Sequence, residues 1–370
     1  MSYLLTGLAI AGGLAALTAG AELLVRGASR LARAAGVSPL VIGLTVVAVG
    51  TSAPEIAVTV GAAVTGEAEI ALGNVVGSNI FNVLAVLGLS ALASPLVVQR
   101  RIVRSEVPVM VLLSFGVAAL CLDGSLGRLE GAALAACLAG YLWWMVRRAR
   151  AEGNGPEVAL DGAKSPGLNI VRDVVLTAAG LLLLPAGARL LVSGASEIAR
   201  ALGATELVIG LTIVAAGTSL PEAATSVMAT LRGERDIAVG NVVGSNIFNL
   251  LGVLGLAGLV SPSPASVPEA ALRFDIPVML ACAVACLPVA YTGYRIDRWE
   301  GALFVAYYLA YLTFLALDAT DHSAAGPYAR VMLAFVLPIT AVTLGTLAVR
   351  TWTARRFRAR ARASVREAGR

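Results

Sequence analysis

Apolar runs of roughly 20 residues, each long enough to cross a bilayer core as a helix, alternate along this chain with short polar joints. They predict helices near 3–25, 39–64, 70–93, 103–121, 127–147, 170–192, 205–231, 237–260, 272–292, 299–317 and 331–349. One joint differs from the rest. Segment 148–169 carries Glu152, Gly153, Asn154, Gly155, Pro156, Asp161 and Lys164, and it separates two halves of five spans. The pattern therefore divides the chain into a first five-helix half (1–147), a linker (148–169), a second five-helix half (170–317), an extra span within 318–349 and a basic tail over 350–370.

The two halves repeat one another. Gly50-Thr51-Ser52-Ala53-Pro54-Glu55 returns as Gly217-Thr218-Ser219-Leu220-Pro221-Glu222, and Gly-Asn-Val-Val-Gly-Ser-Asn-Ile-Phe-Asn occurs at 73–82 and 240–249. Every matched pair is offset by 167 residues, and 36 of 53 positions are identical between 40–92 and 207–259. The repeat reaches back to Ala19-Gly20-Ala21-Glu22, which matches Ala186-Gly187-Ala188-Arg189. Five spans is an odd number, so the second half must enter the membrane from the opposite side. The fold class expected is all-α: a polytopic membrane protein with an inverted-topology repeat and one extra C-terminal helix. Glu22 and Arg189, equivalent in place and opposite in sign, read as helix-end side chains that snorkel to an interface.

Composition agrees with a membrane protein: 58% hydrophobic, 14% charged, mean hydropathy +0.83. Basic residues set the orientation. With the N-terminus outside, 23 of the 28 Lys and Arg fall on inner joints and the tail, which places the C-terminus in the cytoplasm of a prokaryotic plasma membrane. Eight of those arginines lie in 350–370, a solvated arm suited to anionic lipid. The first apolar run lacks a basic leader region and reads as a retained helix. No stretch reads as a nucleic-acid patch. Cys121, Cys137, Cys282 and Cys286 sit in apolar runs and read as small buried hydrophobes, and His322 falls in a polar joint.

The chemistry concentrates in the repeated motifs. A carboxylate inside a hydrophobic span is costly and marks a functional site. Pro54 lacks an N–H and its ring meets the Gly50 carbonyl, so the helix should kink or open near 50–54. Freed carbonyls are tolerated within a membrane only where they face protein, water or an ion. Thr51 and Ser52 precede Glu55 by about one turn and share its face. Thr218, Ser219, Pro221 and Glu222 repeat the arrangement. Asn74, Ser78 and Asn82 form a polar stripe on the next helix, as do Asn241, Ser245 and Asn249. Asn74 and Asn241 serve equally as interhelical glue or as ligand support, whereas Ser78, Ser245, Asn82 and Asn249 read as lining a cation path. An all-oxygen set with two carboxylates suits hard cations such as Ca²⁺ and Na⁺, and offers no thiolate or imidazole for zinc or copper.

The paired Gly-Thr-Ser-x-Pro-Glu and Gly-Ser-Asn-Ile-Phe-Asn motifs resemble the alpha repeats of the calcium/cation antiporter superfamily, in its sodium/calcium exchanger branch, over residues 1–317. The resemblance implies four cation sites at the midplane. It implies that Glu55 and Glu222, with the main-chain carbonyls of Thr51 and Thr218, hold Ca²⁺. It implies an inner Na⁺ site of Thr51, Ser78, Glu55 and the Ala48 carbonyl, and an outer one of Thr218, Ser245, Glu222 and the Ala215 carbonyl. Asn82 and Asn249 would flank the middle, with Ser52 and Ser219 beside the glutamates. The first and sixth spans would slide as a gate against the other eight. Two features depart from the family pattern: the eleventh span with its tail, and Asn249, where some relatives carry Asp.

The expected function is a secondary antiporter that exports Ca²⁺ in exchange for Na⁺ by alternating access, without a cofactor. A Ca²⁺/H⁺ antiporter on the same scaffold is the alternative, and a gated cation channel the reading from another class. No nucleophile with a paired base and no phosphate loop supports an enzyme. The sequence leaves the oligomeric state undetermined.

Overall fold

The computed structural model describes residues 3–153, 170–203, 215–291, 294–320 and 323–332, together with residues 209, 213, 345 and 349. The linker beyond residue 153, most of the start of the seventh predicted span, His322, nearly all of the predicted span 331–349 and the tail lie outside the described residues. Among the described residues seven helices are long and apolar enough to cross a membrane, and a bent pair makes an eighth. In chain order the helices are α1 (Tyr3–Ala34), the bent pair α2 (Pro39–Thr51) and α3 (Ala53–Thr65), α4 (Ile70–Ala93), α5 (Ile102–Asp123), α6 (Arg128–Gly153) and α7 (Ile170–Ala201). They continue with α8 (Ala215–Thr218), α9 (Leu220–Leu231), α10 (Arg235–Val260), α11 (Ile276–Tyr291), α12 (Arg298–Ala319) and α13 (Ala325–Val331).

Two helices run well past their predicted ends. Both α1 and α7 hold 32 residues, about 48 Å at about 1.5 Å per residue, against a hydrocarbon core of about 30 Å. The predicted ends at 25 and 192 mark where polar residues begin. Helical patterning continues beyond them: in α1, Val25, Ala28 and Ala32 stay buried while Arg26 and Arg33 face outward.

These two helices pack along each other through a shared glycine series. Gly13, Gly20 and Gly27 on α1 recur seven residues apart, and Gly180, Gly187 and Gly194 are their repeat equivalents on α7. A Cβ added at Gly180 would lie 2.6 Å from the Leu24 nitrogen, and one at Gly187 2.7 Å from the Leu17 nitrogen. The backbones touch, so only glycine fits. Such small-residue contact is what joins helices where lipid removes any hydrophobic drive between them.

The centre belongs to α4 and α10, whose most apolar windows are 83% and 78% buried, whereas the other five unbroken spans bury a third or less. That is why their sequences are apolar all round apart from one polar stripe. Both pass through a π-helical segment that begins at a stripe asparagine: Asn82–Leu87 in α4 and Asn249–Val253 in α10. Helices α3 and α9 end alike, with Gly66 and Gly233 in the left-handed region at φ 84° and 78°. Two antiparallel ladders close the ends of the molecule. Leu96–Val97 pairs with Arg295–Ile296, and Ser125–Leu126 pairs with Ala265–Ser266. The first ladder joins two joints assigned to the inner side, the second two assigned to the outer side, as the inverted repeat requires.

Candidate cation-binding site

The site forms where two broken helices meet. Between α2 and α3 the chain turns by 46°. The break is at Ser52, which leaves helical geometry with φ −80° and ψ 10°, and Ser219 does the same with φ −93° and ψ 8°. Pro54 and Pro221 stand in the first turn of the helices that follow, where a missing N–H costs nothing. Glu55 and Glu222 occupy those same first turns, against the positive end of each short helix. Both glutamates are wholly buried.

The side chains cross from one repeat to the other. Ser52 Oγ donates to Glu222 Oε1 at 2.9 Å, and Ser219 Oγ donates to Glu55 Oε1 at 2.7 Å. Ser219 Oγ in turn accepts from Ser78 Oγ at 3.0 Å, and Ser245 Oγ donates to Glu222 Oε1 at 3.5 Å. The Thr51 hydroxyl faces Glu222 and the Thr218 hydroxyl faces Glu55. Family resemblance groups each threonine with the glutamate of its own repeat. The hydrogen bonds run to the opposite glutamate, because the two breaks lie face to face and each Thr-Ser pair projects across the gap.

Asn74 and Asn241 act as clamps behind this layer. Thr51 Oγ1 donates to Asn241 Oδ1 at 3.1 Å, and Asn241 Nδ2 donates to Ser226 Oγ at 2.9 Å and to the Glu222 carbonyl at 3.4 Å. Thr218 Oγ1 donates to Asn74 Oδ1 at 3.4 Å, and Asn74 Nδ2 to Thr59 Oγ1 at 2.9 Å. The two clamps differ in exposure: Thr51 and Asn241 are buried, while Thr218 and Asn74 are half-buried. The Ala48 carbonyl accepts from the Ser52 nitrogen at 3.1 Å and from Thr51 Oγ1 at 3.4 Å, and Ala215 opens the short helix α8.

Asn82 and Asn249 are oriented by two residues that the sequence reading passed over. Asn82 Nδ2 donates to Asn246 Oδ1 at 3.1 Å, and Asn249 Nδ2 to Asn79 Oδ1 at 3.3 Å. With each amide nitrogen engaged, each amide oxygen is left over. Glu55 Oε2, Glu222 Oε2, Asn82 Oδ1 and Asn249 Oδ1 are all buried without a hydrogen-bond partner. Burying one unsatisfied polar group costs about 1–3 kcal/mol, and four such acceptors, two of them carboxylate, are oxygens that a bound cation would satisfy. Among the described residues no three His, Cys, Asp or Glu side chains gather as a metal group. Two carboxylates and neutral oxygens are the donor set, which fits Ca²⁺ or Na⁺. Cys121, Cys282 and Cys286 are free and buried as expected, whereas Cys137, read from its apolar run as buried, lies exposed on α6.

The sodium/calcium exchanger protein family matches residues 5–147 and 173–317. The chain belongs to the sodium/calcium exchanger family. Within it, the inner membrane protein YrbG of Escherichia coli K12 is 38% identical over 271 residues, covering 71% of this chain and 82% of that one. The sodium/calcium exchanger MaX1 of Methanosarcina acetivorans is 33% identical over 338 residues, covering 82% and 96%. The solved sodium-calcium exchanger NCX_Mj, soaked with Na⁺ and Sr²⁺, superposes with a TM-score of 0.72 at 34% identity, covering 85% of this chain and 99% of that one. This exchanger is thus an integral membrane transport protein rather than an enzyme. The two matched segments fall one within each repeat half.

Proposed function

We propose that the chain exchanges Ca²⁺ for Na⁺ by alternating access, with Glu55 and Glu222 as the shared carboxylates. The observation that carries this reading is the pair of buried glutamates bridged across the repeats by Ser52 and Ser219, each with one oxygen left without a partner, as are the buried Asn82 and Asn249 amide oxygens. Their ionisable charge is at most minus two, which one Ca²⁺ balances and two Na⁺ also balance. Either cargo neutralises the site, and both together overfill it. Competition for one charge set is what couples the two fluxes. Thr51, Ser52, Ser78 and the Ala48 carbonyl would complete the inner shell, and Thr218, Ser219, Ser245 and the Ala215 carbonyl the outer one. The name of MaX1 and the soaks of NCX_Mj support Na⁺ as the driver. The N-terminus is assigned outside and the C-terminus inside from the basic joints.

Direct binding tests this. Purified protein should bind Ca²⁺ saturably, and Na⁺ should displace it competitively at constant pH and ionic strength. Displacement by protons alone, with Na⁺ no better than choline, would replace the Na⁺ reading with Ca²⁺/H⁺ exchange.

A further inference from the structure

On the inner side the end of α1 is clasped to the turn between α9 and α10. Ser29 Oγ donates to Glu234 Oε1, and Arg33 Nη1 donates to Ser29 Oγ at 2.8 Å and reaches Glu234 Oε1 at 3.5 Å. Ser29 is buried, and α1 packs along α9. At the 167-residue offset, Ser29, Arg33 and Glu234 correspond to Ser196, Arg200 and Glu67. The same three residue types therefore recur at the end of α7 and in the turn between α3 and α4. They are not assembled there. Ser196 Oγ is buried without a hydrogen-bond partner, Glu67 is exposed, and Arg200 turns to Glu197 at 3.6 Å. The packing agrees: Thr225 on α9 is fully buried, while its repeat equivalent on α3, Val58, is 41% exposed.

We propose that these two triads are alternating clasps: Ser29–Arg33–Glu234 holds the inner side shut in the state described here, and Ser196–Arg200–Glu67 closes the outer side in the opposite state. This rests on the alternating-access reading. In an inverted repeat the two halves can exchange conformations, so a contact made by one half becomes available to the other. Trading one hydroxyl–guanidinium–carboxylate triad for an identical one leaves the net change near zero. That keeps the two states close in population, as transport in both directions requires. The buried, partnerless Ser196 hydroxyl marks the clasp that is open.

The inner side has one tie that the outer side lacks. Glu22 is held by Arg26 and Arg232, with Arg232 Nε donating to Glu22 Oε2 at 2.7 Å. The equivalents of Glu22 and Arg232 are Arg189 and Thr65, a cation and a neutral hydroxyl that cannot form an ion pair with each other. Glu22 is thus a helix-to-helix strap rather than a side chain snorkelling alone, and it tilts the balance toward the inner-closed state.

Cysteine pairs test the proposal in the full-length protein reconstituted in liposomes, with the exposed Cys137 replaced by Ala. Ser29→Cys with Glu234→Cys should form a disulfide under mild oxidation, and so should Ser196→Cys with Glu67→Cys. Either bond should stop ⁴⁵Ca²⁺ flux until reductant is added. In a protein carrying all four cysteines no single molecule should hold both bonds. If Ser196→Cys does not fold, Arg200→Cys with Glu67→Cys replaces it. With only the inner pair present, Glu67→Gln should speed inner disulfide formation about threefold or more, because weakening a charged tie of the competing state shifts the population toward the inner-closed one. The clasps are overturned if the outer pair never links while the inner pair does, if both bonds form in one molecule, or if Glu67→Gln leaves the inner rate unchanged. None of these measurements depends on which ion drives flux, so normal Na⁺-driven exchange with unlinked outer cysteines would refute the clasps alone.

Discussion

At the scale of single residues, the two glutamates carry the charge of the proposed site. Glu55→Gln and Glu222→Gln keep the shape and remove one negative charge from a site that water does not reach. Losing one charge-assisted contact to a divalent ion should weaken binding by at least about 2 kcal/mol, roughly thirtyfold. Proteoliposome uptake of ⁴⁵Ca²⁺ should fall to near background in each, and wild-type uptake in either folded variant would remove that glutamate from the site. The burial of both glutamates at helix breaks was readable in the sequence, because each stands beside a proline within an apolar run. Asn79 and Asn246 were not. They lie one residue beyond Ser78 and Ser245 in the motif, and nothing in helical spacing tells an amide that orients a ligand from one that packs. Asn79→Leu removes the acceptor that holds the Asn249 amide. The amide is then free to turn, and the half-saturating Ca²⁺ concentration should rise about tenfold, while Asn79→Ala at the same fold stability should show the same rise. An unchanged Ca²⁺ dependence in both variants would make Asn79 a packing residue only.

At the scale of elements, the apolar runs found most of the described spans, and the prolines found the breaks in the two site helices. The ends of α1 and α7 were misjudged, because polar residues (Arg26, Arg30 and Arg33 in α1; Ser193, Ser196 and Glu197 in α7) stop a hydropathy count while buried Ala28 and Ala32 in α1 and Gly194 and Ser196 in α7 continue the helix. The π-helical segments at Asn82 and Asn249 left no trace in the sequence: neither a proline nor a change of periodicity announces the extra residue in the turn. The glycine series was present in the sequence as a seven-residue spacing shared by the two halves, and it becomes meaningful only once α1 and α7 are known to be neighbours. Filling that contact should undo it. Gly187→Leu places a side chain where a Cβ alone would already stand 2.7 Å from the Leu17 nitrogen. Overpacking of this kind costs about 1–3 kcal/mol, so the melting temperature in detergent should drop and exchange should be lost. Gly140→Leu, at a position where a Cβ meets nothing within 4 Å, is the matched control and should keep both.

At the scale of the molecule, the duplication accounts for the architecture. An odd number of spans per half inverts the second copy, two broken helices face each other, and each supplies the hydroxyls for the other's carboxylate. This much followed from the 167-residue offset, except that the pairing across the repeats needed the structure. The basic joints predict a C-terminus inside, which requires that the run 331–349 cross the membrane. A single cysteine at Ala368, with the native cysteines replaced, should resist impermeant thiol reagents in intact cells, and labelling from outside would remove that span from the topology.

The central claim is that one buried pair of carboxylates accepts Ca²⁺ or Na⁺ in turn. It is tested most directly by ⁴⁵Ca²⁺ uptake into proteoliposomes at fixed pH and clamped membrane potential, with only the Na⁺ gradient varied. Uptake should follow the outward Na⁺ gradient, reverse when the gradient is reversed, and be indifferent to added K⁺. Uptake that runs equally well on a proton gradient without Na⁺, or that requires K⁺, would contradict it.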